Sequence, residues 1–211
     1  MISWMTVSRV LRRANQAISH SFIVFLCVIV TLQPVMVEIA NAQDIIIDPS
    51  GNVVSAPSVR PATPAPVVDI ATPNSGGVSL NQYTRFNVGN QGVVLNNSTT
   101  TTNTQVAGSI TRNVNLTGSA ATVIINEVRG TNGTALTGAV EVAGARSNVV
   151  IANPNGLTCN GCTFVNVGTG TLTTGVPIVN GASVLLDVTR GSVTIGRNGL
   201  NAAASGTTNV N

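Results

Sequence analysis

Beyond residue 78 the chain carries short runs in which every second position is apolar: Val140/Val142, Val165/Val167, Val184/Leu186/Val188 and Val193/Ile195. That is the period of a strand with one buried face, and no run has the helical period. Asn-Gly pairs at 132, 155, 160, 180 and 198 punctuate the runs. The gaps from 132 to 155, 155 to 180 and 180 to 198 each approach the ~20 residues of one turn of a parallel β-helix. The pattern predicts a quasi-periodic solenoid. Stacked coils would fill a narrow interior with Val and Ile, leave little room for aromatic rings, and let Asn and Thr ladders satisfy one another at the corners. The competing β-sandwich calls for hairpins every 8–12 residues and a buried aromatic, and Trp4, the only Trp, lies near the N-terminus.

Two earlier stretches break the pattern. Arg9, Arg12, Arg13 and His20 precede an apolar run from Phe22 to Leu32, and Ala40-Asn41-Ala42 then offers small residues for processing. This reads as a signal peptide over 1–42 cleaved after Ala42, since a core of about eleven apolar residues is short of the ~20 that span a bilayer. From Pro49 to Gly77 the chain is rich in Pro, Ala and Ser. Missing N–H donors favour extended, solvated chain there, so 43–77 is expected to be a linker or N-terminal arm. Val67 to Ile70 could still add an edge strand. Residues 78–211 would then form the β-helical domain.

Composition narrows the function. Charged residues make up 8% of the chain and Lys is absent. Three of the ten Arg sit in the leader, so the formal charge of +3 falls close to neutral without it. The rest of the chain has no cluster of Arg with aromatics, which argues against a nucleic-acid surface. His20, the sole His, would leave with the leader, and no triad can form. The remaining carboxylates are Asp44, Asp48, Asp69, Glu127, Glu141 and Asp187. They make no close sequence pair of the kind glycosidases or metal sites use. Asp187 with Arg190, and Glu127 with Arg129, read as solvated strand-end charges. Nothing implies an enzyme, a metal or a cofactor.

Two motifs remain. Asn153-Pro154-Asn155-Gly156 comes directly after the apolar run Val149-Val150-Ile151 and one further residue. It suits a tight turn, with Pro presetting φ at the first corner position and Asn and Gly tolerating the conformations of the next two. Its chemistry is explained fully by a coil corner. Cys159-Asn160-Gly161-Cys162 permits a small disulfide loop in an oxidising compartment. A redox-active pair would want a cationic neighbour or a helix N-terminus, and neither is visible. With no second pair, metal ligation is the least favoured option. Cys27 belongs to the leader. Asn-x-Thr triplets at Asn97, Asn115 and Asn132 arise from composition and carry no argument.

The stretch from Gly77 to Ser98, GVSLNQYTRFNVGNQGVVLNNS, resembles the opening of the two-partner secretion domain of filamentous haemagglutinins and contact-dependent growth inhibition exoproteins. Ile125-Asn126-Glu127-Val128, Glu141 to Gly144, Val150 to Gly156 and Leu172 to Gly175 resemble further signatures in the family's order, so the match covers about residues 70 to 200. The resemblance implies an all-β fold, a right-handed parallel β-helix. It implies export by the general secretory translocon, removal of the leader by signal peptidase, and engagement of the POTRA domains of a dedicated outer-membrane pore. Such a chain ends secreted or at the cell surface, and a host-surface ligand would be bound through a downstream region. In the family an Asn-Pro-Asn-Gly motif and an Asn-Pro-Asn-Leu motif are associated with secretion and stabilising turns. The first is intact at Asn153, Pro154, Asn155 and Gly156. The second corresponds to Asn113-Val114-Asn115-Leu116, where Val replaces Pro. Leu80 stands where many members have His, and Cys159 and Cys162 match a subset with two cysteines after the turn. Members continue past the equivalent of Gly199, so the helix is expected to be incomplete, truncated at its C-terminal end. The alternative function is a β-helical adhesin fragment that binds a host surface or carbohydrate directly.

Overall fold

Short alternating runs cannot close a core by themselves, so each must lie against like runs on neighbouring turns of the chain. The computed structural model describes residues 44–51, 56–62, 64–201 and 207–210. The expected leader, with Ala42, Cys27 and His20, lies outside the described residues.

The described residues open with β1 (Ile45–Ile47) and β2 (Ser58–Arg60), then make a first coil from β3 (Val67–Asp69) and β4 (Val78–Phe86). The second coil runs from β5 (Val93–Asn97) through an inserted hairpin, β6 (Thr102–Thr104) and β7 (Gly108–Ile110), to β8 (Val123–Val128). The third holds β9 (Thr134–Leu136), β10 (Ala139–Gly144) and β11 (Ser147–Ala152). The fourth holds β12 (Leu157–Cys159), β13 (Cys162–Val165) and β14 (Val167–Thr173), and then a second hairpin, β15 (Val176–Asn180) and β16 (Ser183–Asp187). β17 (Val193–Ile195), β18 (Leu200–Asn201) and β19 (Thr207–Val210) begin a fifth. Like strands stack into three sheets, with the orders β4-β8-β11-β14-β19, β3-β5-β10-β13-β18 and β9-β12-β17. All of these neighbours pair in parallel. The fold is a parallel β-helix.

Register gives the true coil length. Thr134 lies opposite Leu157, 23 residues on, and Val140 opposite Phe164, 24 residues on. The spacing from Asn132 to Asn155 is therefore one coil. The spacings through Asn180 are not, and that part of the periodicity is corrected. Asn180 pairs with Ser183 at the tip of the β15–β16 hairpin, and Asn198 stacks on Asn160, donating its N–H to Asn160 Oδ1 at 3.0 Å. An Asn-Gly pair suits a hairpin tip as well as a coil corner, so the dipeptide alone cannot separate them.

Inward residues such as Ile70, Leu95, Ile124, Leu136, Ile151 and Leu172 are fully buried. The interior takes a few rings beside its aliphatic residues: Tyr83, Phe86 and Phe164 are all buried, with Tyr83 and Phe86 centroids 4.9 Å apart. Burial pushes the Tyr83 phenol up, well above its ordinary range. It stays protonated, and its O–H donates to Asn126 Oδ1 at 3.2 Å.

The described part of 43–77 is not the solvated arm that its prolines suggested: β1 and β2 pair with the helix, and the strand allowed at Val67 to Ile70 does form, inside its sheet instead of at the edge. Ala65, Val67, Val68 and Ile70 are 0–1% exposed, and β3 is a full member of the second sheet. The prolines flank the strand instead of interrupting it. Pro66 directly precedes β3, where its missing N–H is tolerated, and its carbonyl still accepts from Val94 N–H at 3.0 Å. Outside β3 and β4 lie β2 and β1, each antiparallel to its neighbour. They cover edges that would otherwise template association. Arg60 grips Asp69 with two hydrogen bonds, 2.7 and 2.8 Å, and Arg85 pairs with Asp44. The Asp48 carboxyl, accepting from the hydroxyl and N–H of Ser50 and lying 3.0 Å from Arg129, is held below its usual value. The Ser50 hydrogen bonds lower it most, burial opposes them, and Arg129 adds attraction.

Ile151→Ala removes a fully buried side chain and is expected to cost about 2–5 kcal/mol, seen as a lower urea midpoint. The contribution of Asp48, whose folded value is depressed, is complete above the ordinary carboxylate range and is lost as pH falls through the depressed value. Amide exchange at Ile45–Ile47 should accelerate in that acid window, and the step should vanish in Asp48→Asn.

Candidate functional site

A short side-chain amide can replace backbone partners wherever a chain turns away from its neighbours. Asn153, fully buried just past β11, does this while its own backbone groups are also paired. Its N–H donates to Thr173 O at 3.0 Å, and its carbonyl accepts from Gly156 N–H at 3.0 Å. Its Oδ1 accepts from Asn155 N–H at 2.9 Å. Its Nδ2 donates to Asn132 O at 2.9 Å and Thr134 Oγ1 at 3.0 Å. Asn155 Nδ2 then donates to Gly130 O at 2.7 Å. The corner is thus stapled to the corner one coil earlier. Pro154 presets φ, and Gly156 has φ +107, where an L side chain is strained.

The second motif forms a turn with the same hydrogen-bond plan, though its fourth residue, Leu116, lacks the positive φ of Gly156. Asn113, also fully buried, accepts from Asn115 N–H through Oδ1 at 2.9 Å and from Leu116 N–H through its carbonyl at 3.3 Å. Its Nδ2 donates to Ile70 O and Asn96 O, both at 2.9 Å. Asn115 Nδ2 reaches Ile70 O at 3.1 Å, and Leu116 enters the core. Val114, in the place of Pro154, is 65% exposed. Exchanging Pro for Val therefore leaves the hydrogen-bond plan intact. Each turn bridges a different pair of coils: Asn113 and Asn115 reach back to the end of β3, and Asn153 and Asn155 reach back to the segment before β9.

Outside the motifs the same device recurs at Asn97, named from the sequence only as part of an Asn-x-Thr triplet, and at Asn166, not singled out at all. Asn97 Nδ2 donates to Ala121 O and Ala145 O, both at 2.9 Å, while its Oδ1 accepts from Ala121 N–H at 2.7 Å. Asn166, with φ +55, donates to Val142 O at 2.8 Å and Gly144 O at 3.1 Å. The expected ladders of Asn and Thr satisfying one another are thus replaced largely by amides that serve backbone carbonyls. The signal was available: each of these Asn stands at or just past the C-terminal end of an apolar run. Among the described residues, no buried side-chain nitrogen or oxygen lacks a partner.

The charges are also more committed than expected. Glu127 is buried and accepts from Gln82 Nε2 at 2.7 Å, while Arg129 pairs with Asp48, so neither is a solvated strand-end charge. Asp187 and Arg190 are exposed. Glu141 accepts from Gln105 N–H at 2.8 Å and Val106 N–H at 2.9 Å, which pins the tip of the β6–β7 hairpin to the third coil. Cys159 and Cys162 are joined by a disulfide around the Asn160-Gly161 corner, and both are fully buried in the core. The geometry binds coils to one another: its polar groups point at the chain's own backbone.

The family description "TPS secretion domain" matches residues 43–211. Among curated proteins the chain is similar to the 16S rRNA endonuclease CdiA of Enterobacter cloacae subsp. cloacae, 47% identical over 184 residues, covering 85% of this chain and 5% of that protein. It is also similar to the filamentous hemagglutinin of Bordetella pertussis, 49% identical over 141 residues, covering 67% of this chain and 4% of that protein. Among solved structures it resembles the crystal structure of a filamentous hemagglutinin secretion domain, with TM-score 0.70 and 43% identity, covering 76% of this chain and 52% of that one. The chain therefore spans about a twentieth of the length of the curated relatives it matches.

Asn153→Ala strands the Asn155 N–H, Asn132 O and Thr134 Oγ1, and should lower stability by about 2–4 kcal/mol, measured by denaturant unfolding. Val114→Pro should raise it by about 0.4–1 kcal/mol, because the turn keeps the hydrogen bonds of its Pro154 counterpart and Val114 is exposed.

Proposed function

The chain belongs to the TPS secretion domain family, and on that footing we propose that it is the N-terminal secretion-signal domain of a large haemagglutinin-like exoprotein, recognised by the POTRA domains of a dedicated outer-membrane pore. Its role is in secretion, and its relatives are exoproteins. In this reading the leader 1–42 directs the chain to the general secretory translocon and is removed by signal peptidase after Ala42. The mature domain then threads the pore and refolds at the cell surface. It performs no reaction of its own: the nuclease name of the Enterobacter relative belongs to a whole protein of which this chain matches 5%.

One observation supports this reading above the others. Both asparagine turns place an amide hydrogen bond on the coil before them, so the coils they belong to find a template in the one already formed. Strand addition outside the cell buries apolar surface and pairs backbone groups, which makes return through the pore unfavourable. The second reading, an adhesin fragment that binds a host surface or carbohydrate, is favoured by Ile178 and Leu185, which stand 52% and 62% exposed on the β15–β16 hairpin.

The test is secretion of the chain behind its own leader, with and without a co-expressed partner pore. The protein should reach the medium only with the pore, and Asn155→Asp, which replaces the amide donor to Gly130 O with a carboxylate, should block release. Pore-independent release, or normal export of the variant with weaker attachment to cells, would favour the adhesin reading instead.

A further inference from the structure

In a solenoid each coil touches only its neighbours, so end coils can open without disturbing the rest. The β15–β16 hairpin departs from that rule. It leaves the fourth coil after β14, and the chain rejoins the stack at Ser192, whose carbonyl accepts from Leu157 N–H at 3.0 Å. Between these points its underside, Val179, Val184 and Leu186, packs on Val78, Ile125 and Val150. Those three residues lie on β4, β8 and β11, one from each of the first three coils.

The hairpin tip reaches the first coil itself. Asn74 Nδ2 donates to Gly181 O at 2.9 Å, while Asn74 Oδ1 accepts from Gly76 N–H and Val78 N–H at 2.9 and 3.0 Å. A Cβ on Gly76 would lie 2.2 Å from Ala182 N and 2.3 Å from the Gly181 carbonyl carbon. Gly76 has no positive φ, so it is space for the tip that excludes a side chain. At the hairpin's root, Gly191 has φ +83, and a Cβ there would lie 2.8 Å from Pro154 O.

We infer that this hairpin is a strap. It ties the turn that starts β4 to the Asn153 corner region of the fourth coil and crosses the sheet between them, so coils one to four open together instead of fraying from the N-terminal end. Docking needs residues that lie 107 positions apart, Asn74 and Gly181, so the lock closes only after four coils are in place. The inference stands independently of the export reading.

Native-state hydrogen exchange on the full chain tests it through three variants. Gly76→Ala adds one methyl group that the tip must move to admit. Val184→Ser with Leu186→Ser loosens the underside at positions remote in sequence from the first coil. The third variant combines them. Each of the first two should speed exchange of the β4 amides by about tenfold relative to β14. In the combined variant Gly76→Ala should add almost nothing, because the strap is already released. Unchanged β4 exchange in the Val184/Leu186 variant overturns the proposal. So does full additivity in the combined variant, which would place the Gly76 effect in its own turn. A rise in stability on Gly76→Ala, as expected for a free turn losing unfolded-state entropy, also overturns it.

Discussion

A β-helix lives or dies at its corners. Along the strands, each N–H and C=O is paired by the coil above or below, but where the chain turns this pairing lapses while the groups stay buried. An unsatisfied buried backbone group costs about 1–3 kcal/mol, and each coil has several such places. Asparagine meets this cost because its amide carries both donor and acceptor on a short arm. Asn97, Asn113, Asn153 and Asn166 each donate to carbonyls near the ends of strands. The abundance of Asn, the scarcity of charge and the absence of Lys all accord with a stack that satisfies itself internally.

This explains how much of the molecule could be read beforehand. Strands were legible because alternation of apolar residues is a local signal, and Val140/Val142 fall where expected, in the core; the solenoid was read from Asn-Gly spacings of which only 132 to 155 is one coil. The corner at Asn153 was legible because Pro and Gly leave a chemical mark on either side of a turn. The Asn113 corner has no Pro, so its residues alone did not mark it: the family resemblance pointed to it, and the hydrogen bonds of the folded state show the shared plan. Long-range assignments failed for one reason: the partner was not local. Asn180 looked like a corner because nothing near it says that the chain projects there. Pro61, Pro64 and Pro66 suggested solvated chain because the strand they flank is stabilised by Val94 and Leu95 across the sheet. Glu127 looked solvated because Gln82 is 45 residues away.

Two of the three sheets carry a cover. The β15–β16 hairpin lies on the first, and the segment around the β6–β7 hairpin, with Ile110, Val106 and Ala107, packs on Val67 and Val94 of the second. The third shows exposed Ala135, Thr158 and Thr194 in register, with no hairpin from the described residues upon them. A helix built of identical coils would be uniform along each face, with nothing to tie one coil to any but its neighbours. The insertions break that uniformity: they convert a repetitive stack into an object with a defined front, back and order of closure.

The disulfide has a consequence of a different kind, topological instead of energetic. Cys159 and Cys162 are three positions apart, so the covalent ring encloses only Asn160 and Gly161. A bridge between distant cysteines would turn the polypeptide into a loop that has to pass any narrow opening as two or more strands abreast. This one leaves a linear thread with a single small knuckle. A chain so linked can be oxidised early and still be drawn end-first through a constriction little wider than one extended polypeptide.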